Sequence, residues 1–214
     1  MSDSSSNITH INNLKHLPTA DLAKVQQFQD CKNNCVLHTI ASILNLHYGS
    51  EVDGAALAKS IDENWPKMPF LYRMAPNWAT TPRQARRILQ MLAHQGNLQI
   101  QTHLGVFSDE YLKNILRFSL NTYPILTFYW VSKGPQLLTQ RGNFELTMQT
   151  NPGFGAHTML LAAYNPQRVD KHGLPHPWGF INSWADKTIS DLFWMNEETW
   201  QRLKKLKTLL VTLT

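Results

Sequence analysis

One stretch, Gln29 to Leu46 (QDCKNNCVLHTIASILNL), constrains the chain more than any other. A polar run, Lys32-Asn33-Asn34, gives way at Cys35 to a segment whose apolar residues, Val36, Leu37, Ile40, Ala41, Ile43 and Leu44, recur at helical spacing. Asn33 or Asn34 suits the N-cap, and Gly49 suits the stop. The pattern predicts a buried helix with Cys35 in its first turn. There the backbone N–H groups and the helix dipole favour a thiolate, so a lowered pKa is expected. Gln29, six residues before Cys35, is an amide donor near enough in sequence to fold back beside the sulfur.

The remaining chemistry-bearing residues lie far downstream. A cysteine nucleophile needs a base, and the base needs a group to orient it. Nine histidines make any one of them uninformative, but His157 opens a nearly continuous apolar run, HTMLLAAY, straight after the glycine-rich NPGFGA. A ring at the mouth of a buried strand is held rigidly. Asn182 stands in the apolar segment WGFINSW, where a buried amide needs a hydrogen-bond partner. If the two segments pair as strands, His157 is that partner. An ion pair between the Cys35 thiolate and the His157 imidazolium is then expected to deepen the fall in the cysteine pKa, leaving Cys31 an ordinary thiol.

Around these segments the chain changes character from helical to extended. Helices are predicted near Thr19 or Asp21, over Val52 to Ile61, from Thr81-Pro82 to Gly96, and over 108–120 behind the capping Ser108. Residues 62–79, rich in Pro, Trp, Asn and Met, read as an irregular loop. Strands are predicted over Leu98 to His103, Pro124 to Val131, His157 to Tyr164, Trp178 to Trp184, Phe193 to Met195 and Leu209 to Leu213. A hairpin falls within 132–155, with Phe144 to Met148 in one strand, and a small helix over Asn196 to Leu206. Helices first and antiparallel strands afterwards predict an α+β fold, a helical half packed on a sheet half. The 214 residues suit a mobile tail over 1–10 and a single domain over 11–214.

Composition narrows the function classes. With 43% hydrophobic and 16% charged residues the chain reads as globular. A formal charge of +5 is short of the dense basic stripe of a nucleic-acid binder. Arg83, Arg86 and Arg87 read as a solvated helix face rather than an anion site. No run approaches the length of a membrane span. The start, MSDSSSNITH, lacks a basic n-region and an apolar core, so the expected location is cytoplasmic, or exported without a cleavable signal. Two cysteines four residues apart fit a reducing compartment. His172 and His176 lack the companions of a metal site, and neither metal nor cofactor is expected.

In the order Gln29, Cys35, His157, Asn182 the four segments resemble the papain-like cysteine peptidases. The spacing of Gln29 and Cys35, the string AHTMLLAAYN and the tripeptide Asn182-Ser183-Trp184 carry the likeness. The helix ending at Tyr48-Gly49 and the Tyr123-Pro124-Ile125-Leu126 strand are also similar to the bacteriocin-processing branch. The resemblance implies a Cys-His-Asn triad in a cleft between the two halves. Cys35 is its nucleophile, His157 its base and later acid, and Asn182 the orienter, with Trp184 shielding the His–Asn bond. It implies that Gln29 and the Cys35 N–H form the oxyanion hole. Departures are Val36 where papain has Trp, Ala185-Asp186-Lys187 in place of a Gly-rich run, no substrate-aligning Gly-Gly pair, and barely 28 residues ahead of Gln29 for a propeptide. The expected activity is hydrolysis of an amide bond in a protein or peptide, through an acyl-enzyme. Two other readings stay open: deamidation, transglutamination or ubiquitin-like tail cleavage by an effector-type enzyme with the same triad, and an inactive binding module. The oligomeric state is not legible.

Overall fold

The computed structural model describes residues 9–10, 25–27, 33–64, 70–75, 78–149, 153–184, 188–189 and 191–214. In chain order the elements are β1 (Thr9–His10), α1 (Cys35–Tyr48), α2 (Gly54–Glu63), α3 (Pro82–Gly96), β2 (Ile100–Gly105), α4 (Asp109–Phe118) and β3 (Thr122–Trp130). There follow β4 (Gln136–Arg141), β5 (Phe144–Gln149), β6 (Gly155–Tyr164), β7 (Trp178–Ile181), β8 (Phe193–Met195), α5 (Glu197–Arg202), β9 (Lys204–Lys205) and β10 (Thr208–Leu213). One antiparallel sheet runs β2-β10-β3-β6-β7-β8-β4-β5, with β1 added to β6 and β9 to β3. The expected α+β division holds: all but one of the helices precede β3.

Local chemistry starts each helix. Thr81 and Gln84 form a reciprocal capping box with Pro82 in the first turn of α3. Asp53 caps α2 by accepting from Ala55 N–H at 2.9 Å. Ser108 caps α4, with Asp109 and Glu110 in its first turn. Gly49 ends α1 in the left-handed region at φ 64°, its N–H bonded to the Asn45 carbonyl.

Helix α1 is buried on all sides, from Val36 through Leu46 without a break. Its polar residues must therefore be satisfied inside the fold. Ser42 Oγ donates to the Val25 carbonyl and Thr39 Oγ1 to the Cys35 carbonyl at 2.7 Å. Asn45 clasps the chain ahead of α2, donating to Val52 O at 2.9 Å and accepting from Val52 N–H at 2.7 Å. Gln27 Oε1 accepts from Gly54 N–H at 2.7 Å and from His38 Nδ1 at 3.2 Å. One face of α1 lies on β6, where Thr39 Oγ1 also reaches the Thr158 carbonyl at 3.4 Å.

Several expected boundaries shift. Thr9–His10, placed by sequence in a mobile tail, pair with Ala163 and Tyr164. The pairing of β3 with β6 stops at Leu160, which leaves that end of β6 an open edge. The segment 178–184 is not one strand: β7 ends at Ile181, and Asn182 turns to accept the Trp184 N–H. The small helix stops at Arg202, and Lys204–Lys205 leave it to pair with β3. Strand β2 begins two residues later than predicted and runs to Gly105. The helix expected from Thr19 or Asp21 lies outside the described residues, as does the rest of the tail. Among the described residues no helix is long and apolar enough to cross a membrane.

Close approach of α2 to α1 depends on Gly54. A Cβ there would meet the His38 Cα at 2.6 Å and Gln27 Oε1 at 2.7 Å, as well as His38 Nδ1. Gly54→Ala adds a better helix former, worth about 1 kcal/mol by propensity alone. The overlap with backbone should outweigh it, for a net loss of about 1–3 kcal/mol. Urea unfolding checks the sign; a stabilised variant would mean that the two helices yield.

Candidate active site

Cys35 is the first residue of α1, and its helix packs on β6. His157 is the third residue of β6, and Asn182 follows the last residue of β7. Strands β6 and β7 pair antiparallel with Leu160 opposite Ile181. That register brings His157 and Asn182 together from positions 25 residues apart: His157 Nε2 and Asn182 Oδ1 are 2.6 Å apart. Both residues are buried, at 4% and 1% exposure.

The direction of this bond follows from a second one. The backbone N–H of Trp184 also points at Asn182 Oδ1, at 3.4 Å. A backbone N–H can only donate, so the amide oxygen, not its NH2, faces both neighbours. His157 therefore carries its proton on Nε2 and keeps the lone pair on Nδ1. The Trp184 ring stacks on the imidazole, with centroids 4.4 Å apart and planes 22° apart. Stacking closes one side of the ring to water and shields the bond to Asn182. Asn182 Nδ2 is buried with no hydrogen-bond partner among the described residues. An unpartnered NH2 costs about 1–3 kcal/mol, set against the two bonds that the oxygen of the amide accepts. What it accomplishes is the orientation of His157.

Cys35 meets β6 at the residue after His157. Hydrogen bonds from the backbone and side chain of Thr158 favour its thiolate, but burial pushes the thiol pKa up and is the larger effect. Thr158 is itself held, its hydroxyl 2.8 Å from that of Thr127. Burial likewise pushes His157 down to about 4, against a smaller upward pull from Asn182. Burial thus works against charging either group, and so against the thiolate–imidazolium pair expected from sequence, with His157 buried and Cys35 partly so. The expected side-chain cap is also absent. Asn34 occupies the N-cap position but makes no capping bond. Its Oδ1 accepts instead from Arg73 Nη2 at 2.8 Å.

Gln29 and Cys31 lie outside the described residues. Arg83, Arg86 and Arg87 are exposed on α3, as read from sequence. His176 stands 3.6 Å from Asp170 in the 165–177 loop, and among the described residues no cluster of three or more metal-ligating side chains occurs. Sequence reasoning missed Thr158 and Arg73. A threonine inside an apolar strand and one arginine in an irregular loop carry no local signal; only their burial beside Cys35 distinguishes them.

No family profile matches the chain, and no curated protein matches it in sequence. Among solved structures it is similar to xylellain, a cysteine protease from Xylella fastidiosa. The TM-score is 0.53 at 13% identity, over 94% of this chain and 88% of that one. At this identity the likeness establishes the fold: helices with an antiparallel sheet in the papain-like α+β arrangement.

A pH dependence of stability follows from the burial of neutral His157. An unfolded histidine titrates near 6.5, whereas the folded one resists protonation to about 4. The contribution is complete above about pH 6.5, is lost as pH falls towards 4, and amounts to on the order of 3 kcal/mol. Denaturant midpoints at pH 7 and pH 4.5 should therefore differ more for the wild type than for His157→Gln. Equal losses would mean that His157 is not buried in its neutral form.

Proposed function

We propose that this chain is a papain-like cysteine peptidase, with Cys35 as nucleophile, His157 as base and then acid, and Asn182 as the group that orients His157. The observation that carries the reading is the doubly anchored Asn182 oxygen. It commits His157 to the Nε2–H form and leaves Nδ1 as a proton acceptor, the tautomer a thiol nucleophile requires. The fold shared with a cysteine protease supports it, and so does the position of Cys35 at a helix start beside β6.

Because both groups rest neutral, proton transfer accompanies attack. As the Cys35 sulfur bonds to the substrate carbonyl carbon, its proton passes to His157 Nδ1. The Cys35 N–H, at a helix start without a side-chain cap, is one donor to the oxyanion; Gln29 is proposed as the second. The imidazolium then protonates the leaving amine as the C–N bond breaks. His157 next takes a proton from water, whose oxygen displaces the thiolate from the acyl-enzyme, and the sulfur recovers a proton. A neutral resting base keeps its lone pair down to about pH 4, so the acid limb of kcat/KM should lie well below the ordinary histidine range.

Incubation with a peptide library and mass analysis tests the reading. New termini mean proteolysis, and a gain of about 1 Da without cleavage means that the same acyl-enzyme chemistry serves deamidation. Cys35→Ala should abolish either product while the protein stays folded. Gln29→Ala should slow turnover by roughly 10²–10³, as for loss of one oxyanion donor. Asn182→Ala should be milder than His157→Ala, since it moves no proton. No product of either kind, with Cys35 inert to thiol reagents, would favour a binding module.

A further inference from the structure

Arg73 lies between α2 and α3 and is fully buried, at 0% exposure. A buried guanidinium must find partners for its donors. Arg73 Nη1 donates to Asp62 Oδ2 at 2.9 Å, and Nε and Nη2 donate to the Trp78 carbonyl at 3.0 and 2.7 Å. The remaining bond is the unusual one, Nη2 to Asn34 Oδ1 at 2.8 Å, inside the protein. Asn34 immediately precedes Cys35 and is the residue whose side chain would otherwise cap α1. An arginine needed only to close a loop has no reason to draw the cap away from the nucleophile's helix.

Charge gives that bond a consequence. Burial pushes the Arg73 pKa down, while Asp62 and then Cys35 pull it up. Opposite charges favour one another's ionised forms, and the Asn34 bond holds Arg73 one residue from Cys35, where its charge would favour a thiolate. The other charged and titratable groups on the elements packed around this end of α1 leave the role to Arg73. His38 on α1 is engaged with Gln27, and His157 on β6 carries charge only after it has taken the Cys35 proton, so it supplies no standing charge. On α2, Lys59 and Glu63 pair with each other in solvent, Asp53 is the helix cap, and Asp62 opposes a thiolate. On α3, Arg83 and Arg86 are exposed, and Arg87 turns to the Leu71 carbonyl.

We propose that Arg73 is a positioning residue for the nucleophile: through Asn34 it fixes the start of α1, and its charge steadies the Cys35 thiolate once His157 has taken the proton. The inference rests on the peptidase reading for its purpose, but not for its test. Asp62 is the counterweight, since its carboxylate offsets the same charge at 2.9 Å. The two members of the ion pair should therefore act on Cys35 with opposite sign.

The pH dependence of Cys35 alkylation by iodoacetamide, read by peptide mapping on the full chain, decides the matter without any substrate. Arg73→Gln should raise the apparent pKa of Cys35 by about one unit, slowing labelling at neutral pH about tenfold. Asp62→Asn should shift the profile downwards and speed labelling. Arg73→Lys, which keeps the charge and loses the fork, should fall between Arg73→Gln and the wild type. A merely structural ion pair would move both variants the same way or neither, and either result would overturn the proposal. If Arg73→Gln fails to fold, the direction of the Asp62→Asn shift decides alone. Opposite shifts in a protein that cleaves nothing would sink the peptidase reading and leave the Arg73 inference standing. Cleavage with unshifted profiles would do the reverse.

Discussion

Everything at the site hangs on the seating of α1 against β6. A helix buried continuously from Val36 to Leu46 has no freedom to rotate or slide, because its polar side chains are already bonded to Val25, Val52, Gln27 and Thr158. Cys35 inherits that rigidity as the helix's first residue. Thr39, one turn on, donates to Cys35 O at 2.7 Å, and the same hydroxyl lies 3.4 Å from Thr158 O on β6. Productive geometry for attack tolerates little error, and a rigid helix and a central strand deliver it better than loops do.

The site's electrostatics follow from the same burial. Burial raises the thiol and lowers the imidazole, which works against a preformed ion pair. Each group has a fixed polar neighbour: the Asn182 oxygen at the imidazole and Thr158 at the sulfur. Asn182 illustrates the exchange of stability for function, since its own NH2 goes unbonded among the described residues.

The second layer is built the same way. Trp184 packs its ring on His157 and sends its backbone N–H to the oxygen that holds His157. Asn34 forgoes capping to receive Arg73. In each case a residue within two positions of Cys35 or Asn182 carries the constraint.

Sequence alone determined the elements whose signals are local. The buried helix from Cys35 with its stop at Gly49, the Thr81-Pro82 helix start, the Ser108 cap, the strand from Phe144 to Met148 and the α+β division were all legible, because periodicity and capping act over a few residues. His157 and Asn182 were legible as partners because His157 lies in one apolar strand and Asn182 at the end of the next, and their pairing could be anticipated. Tertiary structure decided the rest. Register converted two distant residues into one hydrogen bond, and where β3 stops short of the end of β6, Thr9–His10 pair in its place. Burial reversed the expected ionisation of Cys35 and His157, since desolvation depends on what surrounds a group rather than on its helix position. Arg73 and Thr158 became neighbours of the nucleophile only when the chain closed on itself, and nothing in a linear sequence records the depth to which an arginine is buried.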